Sequence, residues 1–266
     1  MIRTFAALAA AAAVLMAAPS AFAQRSSLSS SNWRQEDRSG RREKYASPQS
    51  MAFEVRFGPY YPEVDEEFGG DVGPYEDIFD NDPQFYFGVE VDWLPLRIPW
   101  VGAIGPGLGW GYTRATGNAM KEDTCTLNGD TCERSATETG LTIMPMHLSL
   151  VLRADEIMRR TGIPVVPYGK LGIGVATWSA SSDNGVSDED DKLGRDTSWG
   201  IHMAVGGMFA LNWMDERSAA ALDESTGVNH VYLFGEWMNN QLDGLGSRPQ
   251  MHVGTSTLIV GLAFDM

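Results

Sequence analysis

Leu258-Ile259-Val260-Gly261-Leu262-Ala263-Phe264-Asp265-Met266 is the stretch on which the fold turns. Leu258, Val260, Leu262, Phe264 and Met266 are apolar, while Gly261, Ala263 and Asp265 point the other way. An apolar side chain at every second residue describes a strand with one greasy face. At the other end of the sequence, a basic start at Arg3, an apolar run from Phe5 to Ala18 and the small-x-small triplet Ala21-Phe22-Ala23 predict a cleaved secretory signal over 1–23. No cysteine follows the run, so a lipoprotein anchor is not expected. A greasy strand closing an exported chain is what an outer-membrane β-barrel needs to pair with its own first strand.

Working back from that strand, the same alternation recurs. Phe53, Val55 and Phe57 oppose Glu54, Arg56 and Gly58. From Gln84 to Leu94, Phe85, Phe87, Val89, Val91 and Trp93 alternate with Gln84, Tyr86, Gly88, Glu90 and Asp92. From Ala103 to Tyr112, Ile104, Leu108, Trp110 and Tyr112 oppose Ala103, Gly105, Gly107, Gly109 and Gly111, with Pro106 interrupting the outward face. Between Leu141 and Arg153 the apolar phase changes: Leu141 and Ile143 fit one face, Met144, Met146, Leu148, Leu150 and Leu152 the other. This predicts a bulge near Pro145. Val165–Trp178, Trp199–Trp213 and Val231–Trp237 complete the set, with the closing strand from about Val253.

Eight strands predict an all-β protein: an eight-stranded antiparallel up-and-down transmembrane β-barrel over 51–266. Long polar loops are expected after odd-numbered strands, at Tyr60–Pro83, Thr113–Gly140, Ser179–Ser198 and Asn239–His252. The even-numbered links are shorter or more ordered: Pro95–Trp100, and short helices over Ala154–Ile163 and Asp215–Val228 on the periplasmic side. Residues 24–50 are rich in Ser and Arg, lack periodicity, and read as a flexible basic periplasmic tail that could touch anionic headgroups or peptidoglycan. No other apolar stretch approaches the ~20 residues a spanning helix needs.

Trp93, Trp110, Trp178, Trp199, Trp213 and Trp237 lie near strand ends and are expected in aromatic girdles. A soluble ligand-carrying barrel would place the bulky apolar residues inside and polar ones outside. Here the second face is glycine, alanine and charge, which favours the inverted arrangement of a membrane barrel. The net charge of −15 argues against nucleic acid as a partner. Cys125 and Cys132, close together in a polar segment, read as a disulfide closing a small loop, the alternative being a metal site that has no nearby His pair.

Phe57-Gly58-Pro59-Tyr60-Tyr61-Pro62, Asp92-Trp93-Leu94-Pro95-Leu96, Gly105-Pro106-Gly107-Leu108-Gly109, Arg153-Ala154-Asp155-Glu156-Ile157-Met158-Arg159-Arg160 and Val231-Tyr232-Leu233-Phe234-Gly235-Glu236-Trp237 together resemble an uncharacterised myxobacterial family of outer-membrane β-barrels. The resemblance spans Ala52 to Met266. It implies architecture and location, with no established activity to carry over. More broadly the chain is similar to the small barrels of outer-membrane proteins A and X. Met266 departs from the terminal aromatic residue that the barrel-assembly machinery usually recognises, with Phe264 two residues earlier.

Charges inside such a barrel must pair, because a lone buried charge is costly. Glu54, Arg56, Glu90, Asp92, Lys170 and Glu236 are the expected lumen network, plugging a narrow interior; the alternative is a gated ion path. The first loop is strongly acidic, with Asp77, Asp80 and Asp82 as weak candidates for calcium among otherwise solvated charges. His147 and Ser149 on one strand face, with His202, are the residues a lipid hydrolase or acyltransferase would use, but no nucleophile motif surrounds any serine. No cofactor is called for. The expected partners are outer-membrane lipids and lipopolysaccharide, and the expected role is structural or adhesive, through acidic surface loops.

Overall fold

The computed structural model describes residues 50–68, 73–80, 82–120, 134–182, 185–186, 188–189, 192–211, 227–246 and 250–266. The signal, the tail up to Gln49, Cys125, Cys132, Trp213 and the 215–226 part of the second expected helix lie outside the described residues.

The strands are β1 (Met51–Tyr60), β2 (Gln84–Trp93), β3 (Leu96–Ile98), β4 (Gly102–Met120), β5 (Arg134–Arg153), β6 (Val165–Ser182), β7 (Gly185–Val186), β8 (Asp188–Glu189), β9 (Lys192–Leu193), β10 (Arg195–Ala210), β11 (His230–Gln241) and β12 (Thr255–Asp265). Among the described residues they are accompanied by two short α-helices, α1 (Pro74–Phe79) and α2 (Asp155–Thr161). Eight strands form a closed antiparallel up-and-down barrel in the order β1-β2-β4-β5-β6-β10-β11-β12. The closing strand pairs with the first as expected, from Ala52 opposite Asp265 to Phe57 opposite Val260. β3 is an extra short strand on the edge of β4, within the Pro95–Trp100 link expected to be short or ordered.

The phase of every barrel strand follows the sequence pattern, with the apolar face outward. Leu258, Val260, Leu108, Leu148, Leu150, Leu171, Ile173, Val205 and Leu233 are exposed, while their neighbours in the strands are buried or half-buried. Pro106 is exposed on the outward face and does not interrupt β4. Close packing inside depends on glycine. A Cβ on Gly109 would run into the His147 ring, one on Gly111 into the Tyr86 ring, and one on Gly107 into the carboxylates of Asp92 and Glu90. The glycine row of β4 is therefore the space into which the other strands project their large side chains.

Two expectations need correction. The bulge near Pro145 is absent: β5 keeps one register with β6 from Thr139 opposite Ser182 to Arg153 opposite Tyr168. Leu141 and Ile143 face inward on the same phase as His147 and Ser149. The barrel interior itself turns apolar at that level, so a change in lumen chemistry imitates a change of phase. The loop expected at Thr113–Gly140 is also shorter, because β4 and β5 remain paired well into it, through Asn118 opposite Glu138. β6 and β10 likewise pair from Ser179 opposite Arg195. Backbone pairing needs no apolar side chains, so the strands outlast the hydrophobic pattern.

The first acidic loop is more ordered than expected. It contains a 3₁₀ turn over Val64–Phe68 and then α1. Asp65 supplies the cap, accepting from the backbone N–H groups of Tyr75 at 2.7 Å and Glu76 at 3.0 Å. α1 lies on the upper edge of β4, where Gly117 leaves room for the Ile78 carbonyl.

Candidate functional site: the barrel lumen

The inward side chains form tiers. At the rim where β1 begins and β12 ends, here the terminal rim, Arg153 makes a bidentate pair with Asp265 at 2.7 and 3.1 Å. Its guanidinium also lies 5.3 Å from the Tyr232 ring centre.

The next tier brings together all six of the expected charges, every one buried. Arg56 is its hub. It contacts Glu54 at 2.8 Å, Glu236 at 3.0 Å, and Glu90. Lys170 reaches Glu54 at 2.8 Å, Glu90 at 3.1 Å and Asp92 at 3.8 Å. Four strands supply these groups. The register explains why: Glu54 stands opposite Glu90 across the β1–β2 ladder, Lys170 comes from β6 on the far wall, and Glu236 comes from β11, one strand removed from β1. Four carboxylates share two permanent cations in this tier, with the His147 imidazole, 3.1 Å from Glu90, the next available partner. Tyr168 donates to Glu236 at 2.8 Å. Burial makes each missing partner expensive.

Carboxylate oxygens of Glu54, Glu90 and Asp92 lie within 4.8 Å of one another, close enough to ligate one metal ion. The Lys170 ammonium sits among them, so a side-chain cation already fills the position that a metal would take.

Above the charges, the His147 and His202 rings stack face to face, with centres 3.7 Å apart and planes within 8°. His202 Nδ1 is 2.5 Å from the Asn240 side-chain oxygen. Ser149 is buried on the same face, and its hydroxyl has no hydrogen-bond partner among the described residues. The serine and the two histidines considered for catalysis are thus enclosed in the wall and the lumen, with His147 directed to Glu90 and His202 to Asn240.

The opposite rim is closed by apolar and aromatic groups. Tyr60 stacks on Tyr86 at 5.8 Å and donates its hydroxyl to the Val253 carbonyl at 2.5 Å. Ile143, Leu242, Met238 and Ile259 fill the space around them. Outside this lid, the acidic groups Glu63, Glu66 and Asp243 and the His252 ring line a cavity of about 280 Å³. Burial pushes the Glu63 carboxyl up to about 7, and the neighbouring charges of Glu66 and Asp243 add to the shift.

Of the expected girdle, Trp93, Trp110, Trp199 and Trp237 face outward. Trp178 is a correction: it lies on the inward phase of β6, packed against the interior apolar cluster. The alternation before it already placed the indole on the Gly and Ala face, and only its proximity to a strand end suggested a girdle. Of the calcium candidates, Asp77 and Asp82 are exposed. Asp80 is held by both nitrogens of Arg134, one at 3.1 Å, which draws its carboxyl below the ordinary range. The first loop has no basic residue of its own, and this partner reaches it from β5.

No protein-family model matches the chain, and no curated protein matches it. Among solved structures, the chain is similar to a major outer membrane protein from Thermus thermophilus, at 13% identity and a TM-score of 0.41, covering 83% of this chain and 100% of that one. It is also similar to Ail, the attachment invasion locus protein of Yersinia pestis, at 10% identity and a TM-score of 0.38, covering 82% of this chain and 97% of that one. The outer membrane enzyme PagL is similar at 12% identity and a TM-score of 0.38, covering 82% of this chain and 100% of that one.

Proposed function

We propose that this chain is a transmembrane barrel of the outer membrane, closed to ions, with a structural or adhesive role exercised through its acidic outer loops. The observation that carries the reading is inversion: buried ions and glycine inside, and large apolar side chains exposed on the outward face of every barrel strand. In water such a surface would aggregate; in a bilayer it is the solvent contact. The terminal rim faces the periplasm and the acidic loops face outward. Among the described residues no helix is long and apolar enough to cross a membrane, and a barrel crosses with strands instead.

The packed lumen supports a closed barrel over a channel. The Arg56–Lys170 tier, the stacked imidazoles and the Tyr60–Tyr86 lid obstruct the axis in succession. The enclosure of His147, Ser149 and His202 favours a non-catalytic role over lipid modification.

Gel mobility of the outer-membrane fraction, with and without boiling, tests location and architecture together. The expected result is a band in that fraction that shifts on heating. A protein soluble without detergent and unmoved by heating overturns the reading. Planar-bilayer recording then tests closure: the expected trace is flat, and a stable large conductance makes the barrel a pore.

A further inference from the structure

The link between β3 and β4 contains an anomaly. Ile98-Pro99-Trp100-Val101 forms a tight turn in which the Val101 N–H donates to the Ile98 carbonyl at 3.2 Å. Pro99 takes the second position, and Trp100 takes the third with φ +71°. A positive φ at that position normally belongs to glycine. A bulky side chain there is strained, and such strain persists where the surroundings or a function hold it. Burial does not compensate, because Trp100 is 74% exposed, the most exposed of the large apolar residues described.

What meets the indole is charge. The Arg160 guanidinium, from the last turn of α2, lies 3.6 Å from its ring centre. Arg97 and Arg159 belong to the same corner. Arg97 pairs with Asp155 at 2.8 Å, while Arg160 at 2.8 Å and Arg159 at 3.8 Å share the single carboxylate of Glu156. Three guanidiniums therefore meet two acids, and Arg159 keeps half its side chain in solvent. Exposed Leu96, Ile98 and Ile163 continue the outward apolar face of the barrel to this corner.

We infer that Trp100, Arg159 and Arg160 form a binding site for the phosphate headgroup of an anionic phospholipid at the terminal rim. The inference rests on the transmembrane reading. Continuity with the apolar outer face puts the corner at headgroup depth, where an amphipathic indole is favoured. A guanidinium fork matches a phosphate, and an ammonium-bearing zwitterionic lipid would oppose the surplus positive charge. The strained turn aims the indole outward over Arg160, holding the guanidinium plane at the surface.

The test is native mass spectrometry of the folded barrel in neutral detergent, titrated with phosphatidylglycerol or phosphatidylcholine. Three forms are compared: the parent, Arg159→Gln/Arg160→Gln and Trp100→Gly. The parent is expected to retain one phosphatidylglycerol about tenfold better than phosphatidylcholine, and each variant to lose that preference. Trp100→Gly relieves the turn, so its heat shift should persist unchanged or at a higher temperature while lipid retention falls. Equal retention of the two lipids, retention undiminished in both variants, or full competition by millimolar inorganic phosphate each overturns the proposal. Absence of any heat shift in the parent instead overturns the membrane reading, so the two failures are distinguishable.

Discussion

The two halves of the lumen make opposite use of the same inward phase. Toward the terminal rim, β1, β2, β6 and β11 project Glu54, Arg56, Glu90, Asp92, Lys170 and Glu236 into one ion cluster. Toward the opposite rim, the same sheet projects Tyr60, Tyr86, Ile143 and Met238 into an apolar lid, which Leu242, just past β11, completes. The charged half is held by partners that cannot be lost singly. The lid is held by packing, where each contact is small and a loss can be partly relaxed. Alternation thus dictates which residues turn inward, and the level along the axis dictates what chemistry they carry.

The contrast predicts an order of effects. Arg56→Ala removes the cation shared by three buried carboxylates, leaving Glu236 with none and Glu54 and Glu90 with Lys170 alone, and should destabilise the barrel by about 5 kcal/mol, the upper end for a broken buried ion pair. The measurement is the temperature at which the heat-shifted band appears, or the urea midpoint of unfolding from detergent. Ile143→Ala in the lid should cost about 3 kcal/mol, the range of a buried Ile truncation. If Ile143→Ala proves the more damaging of the two, the ion cluster is a passive filling and the comparison fails.

A smaller, pH-dependent effect is expected just outside the lid. The folded Glu63 carboxyl sits at about 7, above its ordinary value of 4.5, so the folded state holds a proton that the unfolded chain releases. Stability from this group is therefore full at low pH and lost as pH rises between those two values. Glu63→Gln should raise the unfolding temperature at pH 8 and leave it nearly unchanged at pH 4. An equal change at both values would show that Glu63 acts by packing alone. The smallest effect belongs to Asp80→Asn. It breaks the pair with Arg134 on a solvent-exposed surface, where screening leaves little net stabilisation. Its unfolding temperature should match the parent at physiological salt.

Much of the barrel was legible from alternation. The inward phase of Glu54, Arg56, Glu90, Asp92, Lys170 and Glu236 can be read from period two, because neighbours in a strand must face opposite sides. Leu141 and Ile143 misled the same reasoning, since hydrophobicity marks a face only where that face keeps one environment along its length. Trp178 was misplaced by its proximity to a strand end, against its own alternation, because an indole suits an interior as well as an interface. Trp100 carried no signal as a site at all. Its positive φ and its guanidinium partner arise only when the β3–β4 turn and α2 are brought to the same corner.

By itself, then, the sequence determined the eight strands of the barrel, the face most of their side chains take and the presence of charge inside. These follow from local stereochemistry and the cost of exposing the wrong face to the wrong solvent. Only the tertiary structure decided which charge meets which, that Lys170 occupies the centre of a carboxylate trio, that His147 and His202 stack, and how far the strands continue past the apolar pattern. Those outcomes depend on register and closure, which bring residues as distant in sequence as Arg56 and Glu236 into contact, and no spacing along the chain encodes that distance.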